Sequence, residues 1–161
     1  MKYYKNSQNQ IYAYDDDVSE DQIKKGLTKI TEAQAKSMLE PSLEELKAAK
    51  TAELASWVNA MGESCKVEIK DFGAVNGGYK YLLNIEAMID TFDSLEVRGF
   101  RMYDNTMKKI NGQEDLKKIK RAIQIAGQKL HVLKWGYETA IEKAKTSKAL
   151  ETIKFADTIE V

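Results

Sequence analysis

Cysteine and histidine can act together as nucleophile and base, and each occurs once in this chain, as Cys65 and His131. Nothing in the pattern joins them, because Cys65 falls on an alternating strand-like segment and His131 on the outer part of a long helical one. Cys65 therefore reads as a small buried apolar residue. Standing alone, it also excludes an intramolecular disulfide and a paired-cysteine metal or redox site. Asp15-Asp16-Asp17 offers carboxylates to a hard cation. A calcium loop, however, spaces its ligands at alternate positions and adds a glycine and a terminal glutamate, and those offsets are not met. The run reads as solvated, or as the approach to a short helical turn over residues 19–25. The glycine-rich run 73–78 has neither phosphate-loop spacing and predicts a turn between two strands. With no HExxH, GxSxG or Walker pattern, only carboxylate or lysine chemistry stays open, and the carboxylates are accounted for by helix caps or surface charge. The expectation is a non-enzymatic chain with no catalytic residue, no cofactor and no metal site.

Binding is the chemistry that the residues favour, and tyrosines carry the one candidate. Residues 2–5 and 10–14 flank the polar tetrapeptide Asn6-Ser7-Gln8-Asn9 and predict a β-hairpin. If that loop closes Lys5 against Gln10, Tyr3 lies opposite Tyr12, and Tyr3, Tyr12 and Tyr14 share a face. Such a row suits partner binding, since tyrosine brings contact area at little entropic cost. Packing of the row on the neighbouring helix is the favoured reading.

Lysine plus arginine (25) balance aspartate plus glutamate (25) over 161 residues, so no global field draws the chain to nucleic acid or anionic lipid. The basic run 117–121 is interrupted by apolar positions and reads as a solvated face. No apolar stretch nears the ~20 residues of a membrane span, and the N-terminus lacks a signal-peptide core. These features predict a soluble protein made and kept in a cytoplasm, with neither a nucleic-acid nor a membrane partner.

The elements follow from periodicity and punctuation. A short strand is expected over 27–30. A helix capped by Thr31 should stop before Pro41, the only proline, which sets a boundary between a module 1–41 and a mainly helical domain 42–161. Ser42 and Glu45 form a capping box for a helix that Gly62 ends. Residues 65–72 alternate as a half-buried strand, and 79–83 would be its returning partner. Asn84 would cap a helix with Ile85, Met88, Ile89, Phe92 and Leu95 on one side. A second hairpin is expected over 100–110, turning at Asp104-Asn105. Ser147 would cap a last short helix, and the tail from Phe155 is either frayed or an added strand. The fold class is α+β: an N-terminal β-hairpin module with a short helix, then a helical domain built on one long helix with small β-hairpins.

That long helix, predicted over 111–146, would start at Asn111 and run about 50 Å. Leu116, Ile119, Ile123, Ala126, Leu130, Leu133, Tyr137, Ala140 and Ala144 draw one apolar stripe along it. Ile125, Val132 and Trp135 fall on the opposite side, so the helix is expected to be covered by its own chain on two sides. Gly127 and Gly136 then predict close approach of a neighbour, or a bend. Self-association, giving a homo-oligomer, is confined to whatever apolar surface is left open.

Two stretches carry a resemblance. Tyr3-Tyr4, Asn9-Gln10-Ile11-Tyr12 and Leu27-Thr28-Lys29-Ile30-Thr31-Glu32, on to Pro41, resemble the N-terminal module of tail fibre assembly proteins of tailed phages and prophages. Asp104-Asn105, Lys134-Trp135, Ala140-Ile141, Ala144 and Leu150-Glu151-Thr152-Ile153 resemble a small C-terminal domain of unknown function in the same phage proteins. Residues 65–98 match least. The resemblance implies a partner, a phage tail fibre protein, which the chain helps to fold, trimerise or mature. It implies action in the cytoplasm of the bacterial host, with retention in the virion tail left open. The alternative it leaves is a structural component of the tail, fibre tip or baseplate that self-associates.

Overall fold

A computed structural model describes residues 1–94 and 98–161, and the fold is α+β. The chain packs as two units, Met1–Glu45 and Leu46–Val161. The division falls in the first turn of a helix, not at Pro41.

In the first unit, β1 (Lys2–Lys5) lies between β2 (Ile11–Tyr14) and β3 (Thr28–Ile30), antiparallel to both. The hairpin register differs from the expected one by a residue. The Asn6 N–H donates to the Gln10 carbonyl, the Asn9 N–H donates to the Asn6 carbonyl, and Asn9 takes a left-handed φ of 61°. The loop thus consumes Gln10 and sets Lys5 opposite Ile11 and Tyr4 opposite Tyr12. Loop length fixes register, and a slip of one residue turns every side chain on one strand to the other face. Helix α1 (Glu32–Leu39) starts with a capping box in which the Thr31 hydroxyl accepts from the Gln34 N–H.

Helix α2 (Leu43–Glu63) opens on the expected box, Ser42 and Glu45 bonding reciprocally. It runs through Gly62 rather than stopping there. The second unit is built on a three-stranded sheet of β4 (Cys65–Ile69), β5 (Gly73–Gly77) and β8 (Thr158–Glu160), with β4 in the centre. The glycine-rich run is therefore itself the returning strand. The turn sits earlier, at Asp71 and Gly73, whose φ values of 60° and 112° supply the reversal. Residues 79–83 are accordingly helical, in α3 (Tyr79–Asp90), and Asn84 lies inside that helix instead of capping it. Ile85 and Phe92 of the expected stripe are buried; Leu95 lies outside the described residues.

The hairpin β6 (Gly99–Arg101) and β7 (Met107–Lys109) turns at Asn105, as the spacing predicts. Helix α4 (Gln113–Lys143) starts from Gly112 rather than Asn111, whose N–H is taken by the Asp115 carboxylate. Helix α5 (Ser147–Glu151) is capped by Thr146 in place of Ser147. The tail forms β8, parallel to β4.

Alternation decides which side of the sheet is wet. Cys65 and Val67, Val75 and Ile159 point inward onto Leu116, Ile119, Ile123, Ala126 and Leu130 of α4, and α3 closes this core with Ile85. Both sheet edges are guarded, which limits unplanned strand pairing. The Tyr103 N–H donates to Ala74 on β5, and Lys129 Nζ donates to the Glu160 carbonyl of β8 at 2.7 Å.

Candidate functional site

The tyrosine row is rearranged by the register. Tyr12 and Tyr14 share their face with Tyr4, which meets Tyr14 edge to face at 5.7 Å, while Tyr3 stands on the other face opposite Ala13 and Ile30. The two candidates that stay together are also engaged within their own unit. Lys24 Nζ lies 5.3 Å from the Tyr12 ring centroid, and the Lys24 N–H donates to the Tyr14 hydroxyl. The register thus separates Tyr3 from Tyr12 and Tyr14, which do not share one face with it as expected.

The more open apolar surface lies in the second unit, along α4. Past Leu130 the stripe continues through Ile141 and Ala144, which are buried, whereas Ala140 is exposed. On the far side Val132 is 62% exposed and Trp135 59% exposed, contrary to a helix covered on both sides. The reason is length. At ~1.5 Å per residue α4 far exceeds the ~17 Å span of a five-residue strand, so the sheet covers only part of it. Gly127 and Gly136 have no neighbour within 4 Å of an added Cβ, so close packing does not explain them.

A cleft of about 310 Å³ opens between α4 and the meeting of α2 and α3. Its floor is apolar, made by Ile123, Ala126, Leu130 and Ile159. One wall is the end of α2 and the start of α3, and two glycines set it. A Cβ on Gly77 would overlap the Val67 Cγ2 methyl and lie 2.8 Å from Cys65 Sγ. Gly78, at φ 104°, lets the first turn of α3 run against the backbone of Gly62 and Glu63. Tyr79, 71% exposed, stands at the mouth. Gln124, Gln128 and His131 line the α4 side, and Gly127 leaves it open.

Cys65 and His131 thus line one cleft, which their positions in the sequence do not foretell. Burial pushes the Cys65 thiol above its ordinary range, partly offset by a hydrogen bond with the Gly77 backbone. A desolvated thiol is a poor thiolate nucleophile. Cys65 is packing, as its strand position predicts, and the cleft offers apolar contact with a polar rim. Among the described residues no group of three histidine, cysteine or acidic side chains is placed to hold a metal ion. No described helix is long and apolar enough to cross a membrane.

A second arrangement holds the cleft in place. The Trp57 indole N–H of α2 donates to the Ala156 carbonyl at 2.7 Å, and the Ala156 N–H donates to the Tyr137 hydroxyl of α4 at 2.9 Å. The Phe155 ring lies 5.6 Å from Trp57 and 5.0 Å from Tyr137. This clamp fixes the segment that enters β8 and so carries Ile159 to the cleft floor. Trp57 and Tyr137 could be read as apolar positions on their helices, but their common partner is sequence-distant, and no local pattern announces it.

Comparison with protein-family models, with curated proteins and with solved structures finds no match.

Proposed function

We propose that this chain is a non-enzymatic interaction protein that binds a phage tail fibre protein in the cytoplasm of the bacterial host and aids its folding or trimerisation. The observation that carries the reading is the apolar surface that α4 leaves open, with Val132 and Trp135 in solvent and with His131, 6.4 Å from the Trp135 ring, lining a cleft of about 310 Å³. Apolar surface of that kind, rimmed by polar residues, suits protein association. Tryptophan is among the residues that most often anchor an interface. The identity of the partner rests on the resemblance of the N-terminal module and of the segment from Asp104 to Ile153 to phage tail proteins.

Co-expression with a phage tail fibre gene tests the reading. The expected result is a higher yield of soluble trimeric fibre, with a complex on size exclusion. Unchanged yield together with no complex would overturn it.

A further inference from the structure

Strand β8 is an edge of the three-stranded sheet, and its free side opens beside α4. The Val161 N–H donates to the Glu68 carbonyl and the Lys70 N–H to the Val161 carbonyl, so Val161, and with it Ile159, turns its backbone to β4. Backbone direction alternates along a strand, and the amides and carbonyls of Thr158 and Glu160 therefore point away from β4. Lys129 Nζ meets the Glu160 carbonyl on that side. The Thr158 carbonyl and the two N–H groups have no such cover among the described residues. Next to them lies a groove of about 440 Å³, with Val132 and Leu133 of α4 on one side and Ala156 and Ile159 on the other. Gly136 comes one turn further on the same face of α4 and has nothing within 4 Å of a Cβ position, so that face stays clear beyond Leu133.

We propose that this groove takes an extended segment of a partner protein, which adds to β8 as a fourth strand and sets an apolar side chain on Val132 and Leu133. Outward amides and carbonyls at strand spacing identify the occupant, since another extended backbone offers matching groups whereas a helix spends its own internally. Charge narrows it further. Side chains also alternate, so with Ile159 buried in the core, Thr158 and Glu160 face outward. Glu160 stands level with Glu68 of β4. Glu68 has Lys66 at 3.2 Å, whereas Glu160 has no ion partner among the described residues. Two carboxylates side by side on one face repel, and a cation on the free side of Glu160 relieves them. The segment therefore alternates apolar residues, which face α4, with lysine or arginine, which face away and reach Glu160. Lys129, the cation in the groove wall, is turned to the Glu160 carbonyl and marks where the added ladder ends. The proposal deepens the reading of α4 as a docking surface and rests on it, but not on the partner being a fibre protein. A peptide that fails here leaves fibre binding through the rest of α4 standing.

Fluorescence polarisation of the full chain with a labelled heptapeptide of alternating valine and lysine, blocked at both ends, tests the proposal. The expected result is saturable binding below about 1 mM, weak because the ladder on β8 is short. Val132→Lys should weaken it by about tenfold or more, and Glu160→Lys should shift preference by about tenfold toward the heptapeptide with glutamate in place of lysine. N-methylation of one alternate set of peptide amides should abolish binding, while the other set tolerates it. Val132 and Glu160 are exposed, so unchanged circular dichroism separates loss of binding from loss of fold. No saturation up to about 1 mM overturns the proposal. Binding indifferent to both variants, or tolerant of methylation at both sets, overturns it equally. A wild-type dimer on analytical ultracentrifugation that Val132→Lys breaks assigns the edge to a second copy and overturns it as well.

Discussion

Two glycines that look alike in the sequence have opposite physical roles. Gly77 sits in β5, where a Cβ would strike Val67 and press on Cys65, both inside the core. Gly127 sits in a helix interior with open space around it. Gly77→Ala is therefore expected to destabilise by about 1–3 kcal/mol, the cost of overpacking. Gly127→Ala removes a glycine from a helix and is expected to stabilise by about 1 kcal/mol. Urea denaturation measures both. A destabilising Gly127→Ala would mean that a neighbour does approach there. Sequence alone could not assign these signs, because a glycine reports permission for close approach or unusual backbone but not which neighbour uses it.

At the scale of elements, the clamp on Ala156 ties α2 and α4 to the segment that enters β8. β8 pairs parallel with β4 through only three residue pairs, and so short a strand is weakly held by its ladder alone. Trp57 and Tyr137 fix its approach from two different helices. Trp57→Phe keeps the aromatic contact and deletes the donor to the Ala156 carbonyl, an expected loss of about 1–3 kcal/mol. Hydrogen exchange should quicken at the Val161 amide, which donates to Glu68. Unchanged stability and exchange would show that stacking with Phe155 suffices. This contact also marks where sequence reading stops. Periodicity reports which face of an element is apolar, and it found the inward side of α4, the box at Ser42 and the alternation from Cys65. It missed the start of α3, since residues 79–83 fit a strand as well as a helical turn until the turn at Asp71 is known. It missed the register of β1 and β2, because the loop closes through Asn9 in a left-handed conformation that no alternation encodes. It saw Val132 and Trp135 as apolar but assumed cover for them, because a pattern carries no measure of how much sheet is available.

For the whole molecule, the distribution of buried side chains predicts unequal stability of the two units. Between Met1 and Glu45 only Tyr4 and Ala35 are buried among the described residues, and the Tyr4 hydroxyl has no hydrogen-bond partner there. A buried unpaired hydroxyl costs about 1–3 kcal/mol, and a unit this small hides little apolar surface to offset it. The second unit buries a continuous cluster that draws on its three-stranded sheet, α3 and α4. Cooperative units open with their own free energies, and those with few buried apolar contacts open first. Native-state hydrogen exchange should therefore show the β1 amides of Tyr4 and Lys5 exchanging through a low-energy opening that leaves Val67 and Val75 protected. Trp57→Phe should speed exchange in the second unit without altering the first. Equal protection of β1 and β4, falling together in low urea, would mean that the two units unfold as one. In that case the apolar strip of α4 could not act as a docking surface independently of the N-terminal sheet.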